Sequence, residues 1–137
     1  MPLKAYDNIE VETFSNECPL TPESLLDQLQ PRMVKELREN RQPVNSGGAK
    51  TLVVRGKIIY YESADLASQI WGPLEEVIAI VELVDKASGS IIGRSYCVGR
   101  STATTSQSVK AKADGLSEAV AKWIDRYRPV PKEKEKE

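Results

Sequence analysis

The stretch from Leu74 to Asp85 constrains this chain most, because it is apolar on both faces of an extended strand. Val77, Ala79, Val81 and Leu83 fall on one side, and Leu74, Ile78, Ile80 and Val84 on the other. A strand without a polar face belongs in the middle of a sheet, with a neighbour on each edge and cover on its faces. Asp85-Lys86-Ala87-Ser88-Gly89 then reads as a turn with Gly89 at a left-handed position. Ile91 to Gly99 reads as the returning strand of a hairpin, in which Gly93 and Gly99 mark bulges or a close backbone approach.

The remaining elements follow from periodicity. Tyr6 to Ser15 alternates with a period of two, placing Ile9, Val11 and Thr13 on one face, so a strand is predicted. In the strand Thr51 to Glu62, Leu52, Val54, Ile58 and Tyr60 share one face, with Val53, Ile59 and Tyr61 on the other. Thr21-Pro22-Glu23 is a helix start, with Thr21 as the capping residue. Leu26, Leu29, Met33 and Leu37 continue it as an apolar stripe. Pro31 interrupts that stripe, and a kink or a split is expected there. A second helix is predicted from about Gln107 to Tyr127, with Val109, Ala113, Leu116, Val120, Trp123 and Tyr127 on its apolar side. Gly115 lets that helix lie close to the sheet. The order is strand, helix, strand, strand, strand, helix. The expected fold is α+β, a two-layer sandwich of one mixed sheet with both helices on one face. Residues 1–128 are expected to form this single domain, and residues 129–137 a disordered charged tail.

Composition excludes much chemistry. The chain has 137 residues and no histidine, which removes His-dependent triads, His-ligated metals and His proton shuttles. Cys18 and Cys97 are too few for a four-thiolate site. Cys97, mid-strand, is expected to be a buried inert thiol, while Cys18 beside Pro19 is expected to be more exposed; a disulfide between them would require an oxidising compartment. Glu75 and Glu76 are adjacent in a strand and point to opposite faces, so they cannot converge as an acid–base pair. Asp85 opens a turn, where its carboxylate normally bonds its own backbone. No catalytic residue, cofactor or metal ligand is predicted, and the chain is read as not an enzyme. Nineteen Lys and Arg balance twenty Asp and Glu, which provides no general pull toward nucleic acid or acidic membranes. No apolar run reaches the roughly 18 residues of a membrane span.

Two surfaces are candidates for binding. Trp71, beside Gly72-Pro73 in an inter-strand loop, is either a lid on the sheet or an exposed anchor for a partner. Val53, Ile59 and Tyr61 would join it on the less covered sheet face. Arg94, Tyr96 and Arg100 share a strand face; they could stack nucleic-acid bases, or simply form cross-strand charge pairs.

The segment Thr51–Gly99 resembles a bacterial domain-of-unknown-function family found mostly in envelope lipoproteins. The similarity lies in Leu52-Val53-Val54-Arg55-Gly56-Lys57-Ile58, in Ile70-Trp71-Gly72-Pro73, in Leu83-Val84-Asp85-Lys86-Ala87-Ser88-Gly89 and in the pair Ile91-Ile92. Over residues 5–127 the element order is also similar to the amino-terminal domain of the Tol-system propeller protein, the curli secretion lipoprotein and lipoprotein activators of cell-wall synthases. Pro73 departs from the small residue often found there. The resemblance implies a small α/β sandwich exported to the bacterial periplasm, with a role in binding or assembly. Its partner would be another envelope protein or a second copy, contacted through the sheet face or an edge strand with the Trp71 loop. The segment Met1 to Tyr6 shows no signal-peptide pattern, so the expected location is the periplasm or outer membrane if an export signal has been removed, and otherwise the cytoplasm. The alternative function is a cytosolic nucleic-acid or nucleotide-binding domain using Arg94, Tyr96 and Arg100.

Overall fold

A computed structural model of the chain describes residues 3–62, 75–101 and 108–130. Its elements are β1 (Asn8–Val11), β2 (Ser15–Asn16), α1 (Glu23–Glu39), β3 (Thr51–Tyr61), β4 (Glu75–Asp85), β5 (Ile91–Ser101) and α2 (Ser108–Tyr127). Trp71 and the tail residues 131–137 lie outside the described residues.

The sheet order is β1-β3-β4-β5, with β2 also pairing β3. β4 is therefore internal, as its two apolar faces require. It runs antiparallel to β3 and β5, while β1 and β2 run parallel to β3. Parallel neighbours cannot be joined by a tight turn, and α1 supplies the crossover. The sheet is mixed and both helices pack on one side of it, α2 against β5 and β4, and α1 against α2.

One apolar cluster lies between the layers. Ile9, Val11, Leu52, Val54, Ile58, Val77, Ala79, Val81, Leu83 and Cys97 come from the sheet. Leu25, Leu29, Met33 and Leu37 come from α1, and Ala113, Leu116, Val120 and Ile124 from α2. Truncating one of the fully buried leucines to Ala would cost about 2–5 kcal/mol. The helices are also joined by an ion pair, Arg32 to Asp114 at 2.7 Å.

Several local expectations change in the folded chain. The first strand is broken into β1 and β2 because Phe14 turns inward and packs its ring over Gly56, where a side chain would collide with it. Pro31 does not divide α1, which continues through it. Pro31 is exposed, so the carbonyl its missing N–H would have met faces water. Thr21 does not cap α1: the cap position is Pro22, and the Thr21 hydroxyl is buried without a hydrogen-bond partner. The turn after β4 forms as its residues demand. Gly89 has φ +77°, the Asp85 carboxylate accepts the Ala87 N–H at 3.3 Å, and it also accepts the Ser88 hydroxyl at 3.2 Å.

Candidate functional site

With both helices on one side, the other side of β3, β4 and β5 is open. Cross-strand register arranges its side chains in rows. Tyr60, Ile78 and Val98 form one, and Lys57, Ile80 and Tyr96 the next. Arg55, Glu82 and Arg94 follow, then Val53, Val84 and Ile91. Apolar rows thus flank a charged one. Tyr60 is 42% exposed, Ile91 46% and Tyr96 66%, and they account for three of the four large apolar side chains that stand exposed among the described residues.

The charged row is organised by Glu82, which accepts hydrogen bonds from Arg55 Nε at 2.9 Å and Arg94 Nη2 at 2.6 Å. Those bonds, Arg94 first and Arg55 second, hold its carboxyl below the ordinary value. Glu76 accepts Arg100 Nε at 2.7 Å. Arg94 and Arg100 are thus engaged in cross-strand charge pairs, which leaves their charges less available to a nucleic-acid backbone. Where β1 gives way to β2, a groove of about 430 Å³ opens on this side, lined by Glu12, Thr13, Ser15, Arg55, Lys57 and Arg94 among others.

The folded chain separates the residues expected to bind a partner. Val53 lies on the open face opposite Val84, and its neighbours cover it. Ile59 is the extra residue of a β-bulge: Ile58 pairs with Ala79 and Tyr60 with Ile78, leaving Ile59 unmatched. The bulge reverses the alternation after it. Tyr61 therefore turns toward the helices and is only 3% exposed, and Tyr60 takes the open face. The expectation for Tyr61 is corrected on this point, as is that for Tyr60.

Tyr61 meets a side chain whose burial periodicity alone could have revealed. Lys112 is fully buried on α2; it precedes Leu116 and Val120 at spacings of four, so it falls on the apolar stripe. Its Nζ lies 4.2 Å from the Tyr61 ring centroid and donates to the Glu62 carbonyl at 2.8 Å. A buried ammonium needs such partners. Cys97 is buried, and burial pushes its thiol up to about 11, as an inert core cysteine requires. Cys18 is buried as well, contrary to its expected exposure, and both thiols are free. Among the described residues, no three His, Cys, Asp or Glu side chains gather as metal ligands, and no helix is long and apolar enough to cross a membrane.

No family model matches the sequence, and neither does any curated protein. Solved structures do match. The PelC dodecamer from Paraburkholderia phytofirmans superposes with a TM-score of 0.59 at 18% identity, covering 88% of this chain and 90% of that one. The lipoprotein GNA1162 from Neisseria meningitidis superposes with a TM-score of 0.52 at 17% identity, covering 87% and 98%. This chain shares their fold. So does XCC0632 from Xanthomonas campestris, a protein of the family DUF330, with a TM-score of 0.55 at 11% identity over 91% and 82%. The sandwich that the resemblance implied is the fold the chain adopts, and it is one used by bacterial lipoproteins.

Proposed function

We propose that this chain is a non-enzymatic interaction module of the bacterial cell envelope, and that it works through the open face of its sheet. The observation that carries the reading is the concentration of Tyr60, Ile91 and Tyr96 on one face, with no described element packed over them. Apolar rows around a charged one suit a protein surface, where aromatic and Arg anchors supply most of the affinity. Structural neighbours that are lipoproteins, and one that is a dodecamer, support an envelope setting and an assembly role. Val53 and Ile59 would border the contact, and Trp71 would anchor it from the adjoining loop.

Site-specific photocrosslinking in the native host tests the reading. A crosslinker at Tyr96 is expected to give discrete protein adducts in the envelope fraction, while one at Lys122, exposed on α2, gives none. Adducts from Lys122 but not from Tyr96, or recovery of the protein only in the cytosol, would overturn it. Trp71→Ala is expected to reduce the Tyr96 adducts without unfolding the domain. Nucleic-acid binding through Arg94, Tyr96 and Arg100 would instead appear as salt-sensitive retention of a labelled single strand.

A further inference from the structure

The net charge of −1 conceals a separation of sign along the chain. Residues 5–31 hold six Asp and Glu with no Lys or Arg, and residues 86–113 hold five Lys and Arg with no Asp or Glu. The fold places parts of these stretches on different surfaces. In the first, the loop before α1 carries Leu20, the fourth exposed large apolar side chain at 61%, between the exposed acids Glu17 and Glu23. In the second, β5 presents Arg94, Tyr96, Val98 and Arg100 along the open face. One surface reads acid, apolar, acid; the other reads cation, apolar, cation.

Charge decides how two copies could meet. On β3, β4 and β5 the open face carries four cations, Arg55, Lys57, Arg94 and Arg100, against two carboxylates, Glu76 and Glu82. Stacking two such faces on each other would enclose a surplus of positive charge, which is costly away from water. The better occupant brings carboxylates around an apolar group, and the Leu20 loop does so. It also keeps main-chain pairing out of the contact: the free side of β1 is already taken by Pro43–Asn45, since the Ile9 N–H donates to the Pro43 carbonyl at 2.9 Å and the Asn45 N–H to the Ile9 carbonyl at 2.9 Å.

We infer that copies of this chain assemble head to tail, the Leu20 loop of one seated on Tyr96 of the next, with Glu17 and Glu23 facing Arg94 and Arg100. This rests on the reading of the open face as the working surface and supplies its partner. Glu17 already pairs with Lys57 at 3.0 Å, and Arg94 with Glu82; such exposed pairs are weak and exchange readily. Knob and socket are different surfaces, so the contact repeats. It closes a ring if the rotation per step divides a full turn, and otherwise extends a filament.

Sedimentation velocity on the full chain tests this. The wild type is expected to assemble at 0.15 M salt, at a Debye length of about 8 Å, and to dissociate near 1 M salt as its charges are screened. Leu20→Asp and Tyr96→Asp are each expected to weaken association by roughly tenfold or more. The reversals E17K with E23K, and R94E with R100E, are each expected to abolish assembly. Mixing the two reversed proteins is expected to restore it, since each new contact is again between opposite charges. Circular dichroism confirms folding of each variant, and E17Q with E23Q replaces the first reversal if that one unfolds. A monomeric wild type at both salt concentrations overturns the inference, as does a mixture of folded variants that stays monomeric. Assembly lost in Tyr96→Asp but kept in Leu20→Asp leaves the open face as the working surface and overturns the Leu20 contact. Assembly kept in both overturns the two readings together.

Discussion

Gly115 of α2 lies against Gly99 of β5, and neither position has room for a side chain without displacing the other element. A Cβ on Gly99 would stand 2.5 Å from the Leu116 nitrogen and 2.6 Å from the Lys112 carbonyl oxygen. A Cβ on Gly115 would meet the Arg100 nitrogen at 3.1 Å and the Gly99 Cα at 3.3 Å. The two contacts differ in kind, and the difference gives the first prediction. Gly99→Ala drives a methyl into helix backbone, which cannot step aside, and a loss of about 1–3 kcal/mol is expected. Gly115→Ala meets a tighter than usual contact but gains roughly 1 kcal/mol of helix propensity, so the net change is expected to be small. Urea denaturation of the two variants measures this, and equal losses would contradict it.

Tyr60 and Tyr61 are neighbours in sequence with opposite fates, and the Ile59 bulge is the cause. Tyr61→Ser should destabilise the fold by about 2–4 kcal/mol, because it removes a buried ring and the surface under Lys112. Tyr60→Ser should stay within about 1 kcal/mol of the wild type. Thermal melts of the pair decide whether the bulge exists. Had the strand alternated without interruption, the order of the two effects would reverse.

Lys112 is held by the Glu62 carbonyl and the face of Tyr61. Lys112→Met keeps the length of the side chain but withdraws a donor from the end of β3, and should cost about 1–3 kcal/mol. A double-mutant cycle of Lys112→Met with Tyr61→Leu should give a coupling of about 0.5–2 kcal/mol, as a desolvated cation over a ring predicts. Additive losses would show that the ammonium and the ring do not interact.

Cys97 has a thiol raised by burial to about 11 from an ordinary value of 9.0. At pH 8 it should therefore resist alkylation in the native protein and react only on unfolding, as read by mass spectrometry. The sign of the linkage follows. The unfolded thiol loses its proton first, so between pH 9 and about 11 the unfolded state binds fewer protons and stability falls as pH rises. Cys97→Ala should flatten that part of the stability profile.

The layering of the fold was legible in local pattern. Val77, Ala79, Val81 and Leu83 mark one face of β4 by alternation alone, and all four are buried under the helices. Leu29, Met33 and Leu37 mark the buried side of α1, and Leu116 and Val120 that of α2. Asp85 and Gly89 specify their turn because it is made within a few residues. These features depend on spacing, which the chain carries wherever it goes.

Other features needed contacts between distant residues. Nothing near Ile59 announces a bulge; it is set by how β3 must register with β4, and it decides which tyrosine faces outward. Phe14 breaks the first strand because Gly56, far along the chain, leaves room for its ring. Cys18 is buried although its loop is polar, and Pro31 is tolerated because it falls on the wet side of α1. The sequence by itself determined the elements, their apolar faces and the absence of histidine chemistry, since these are local or compositional. Only the tertiary structure decided that one sheet face stays open and that Tyr60, Ile91 and Tyr96 stand on it. That outcome depends on strand order, register and helix placement, which arise from long-range packing.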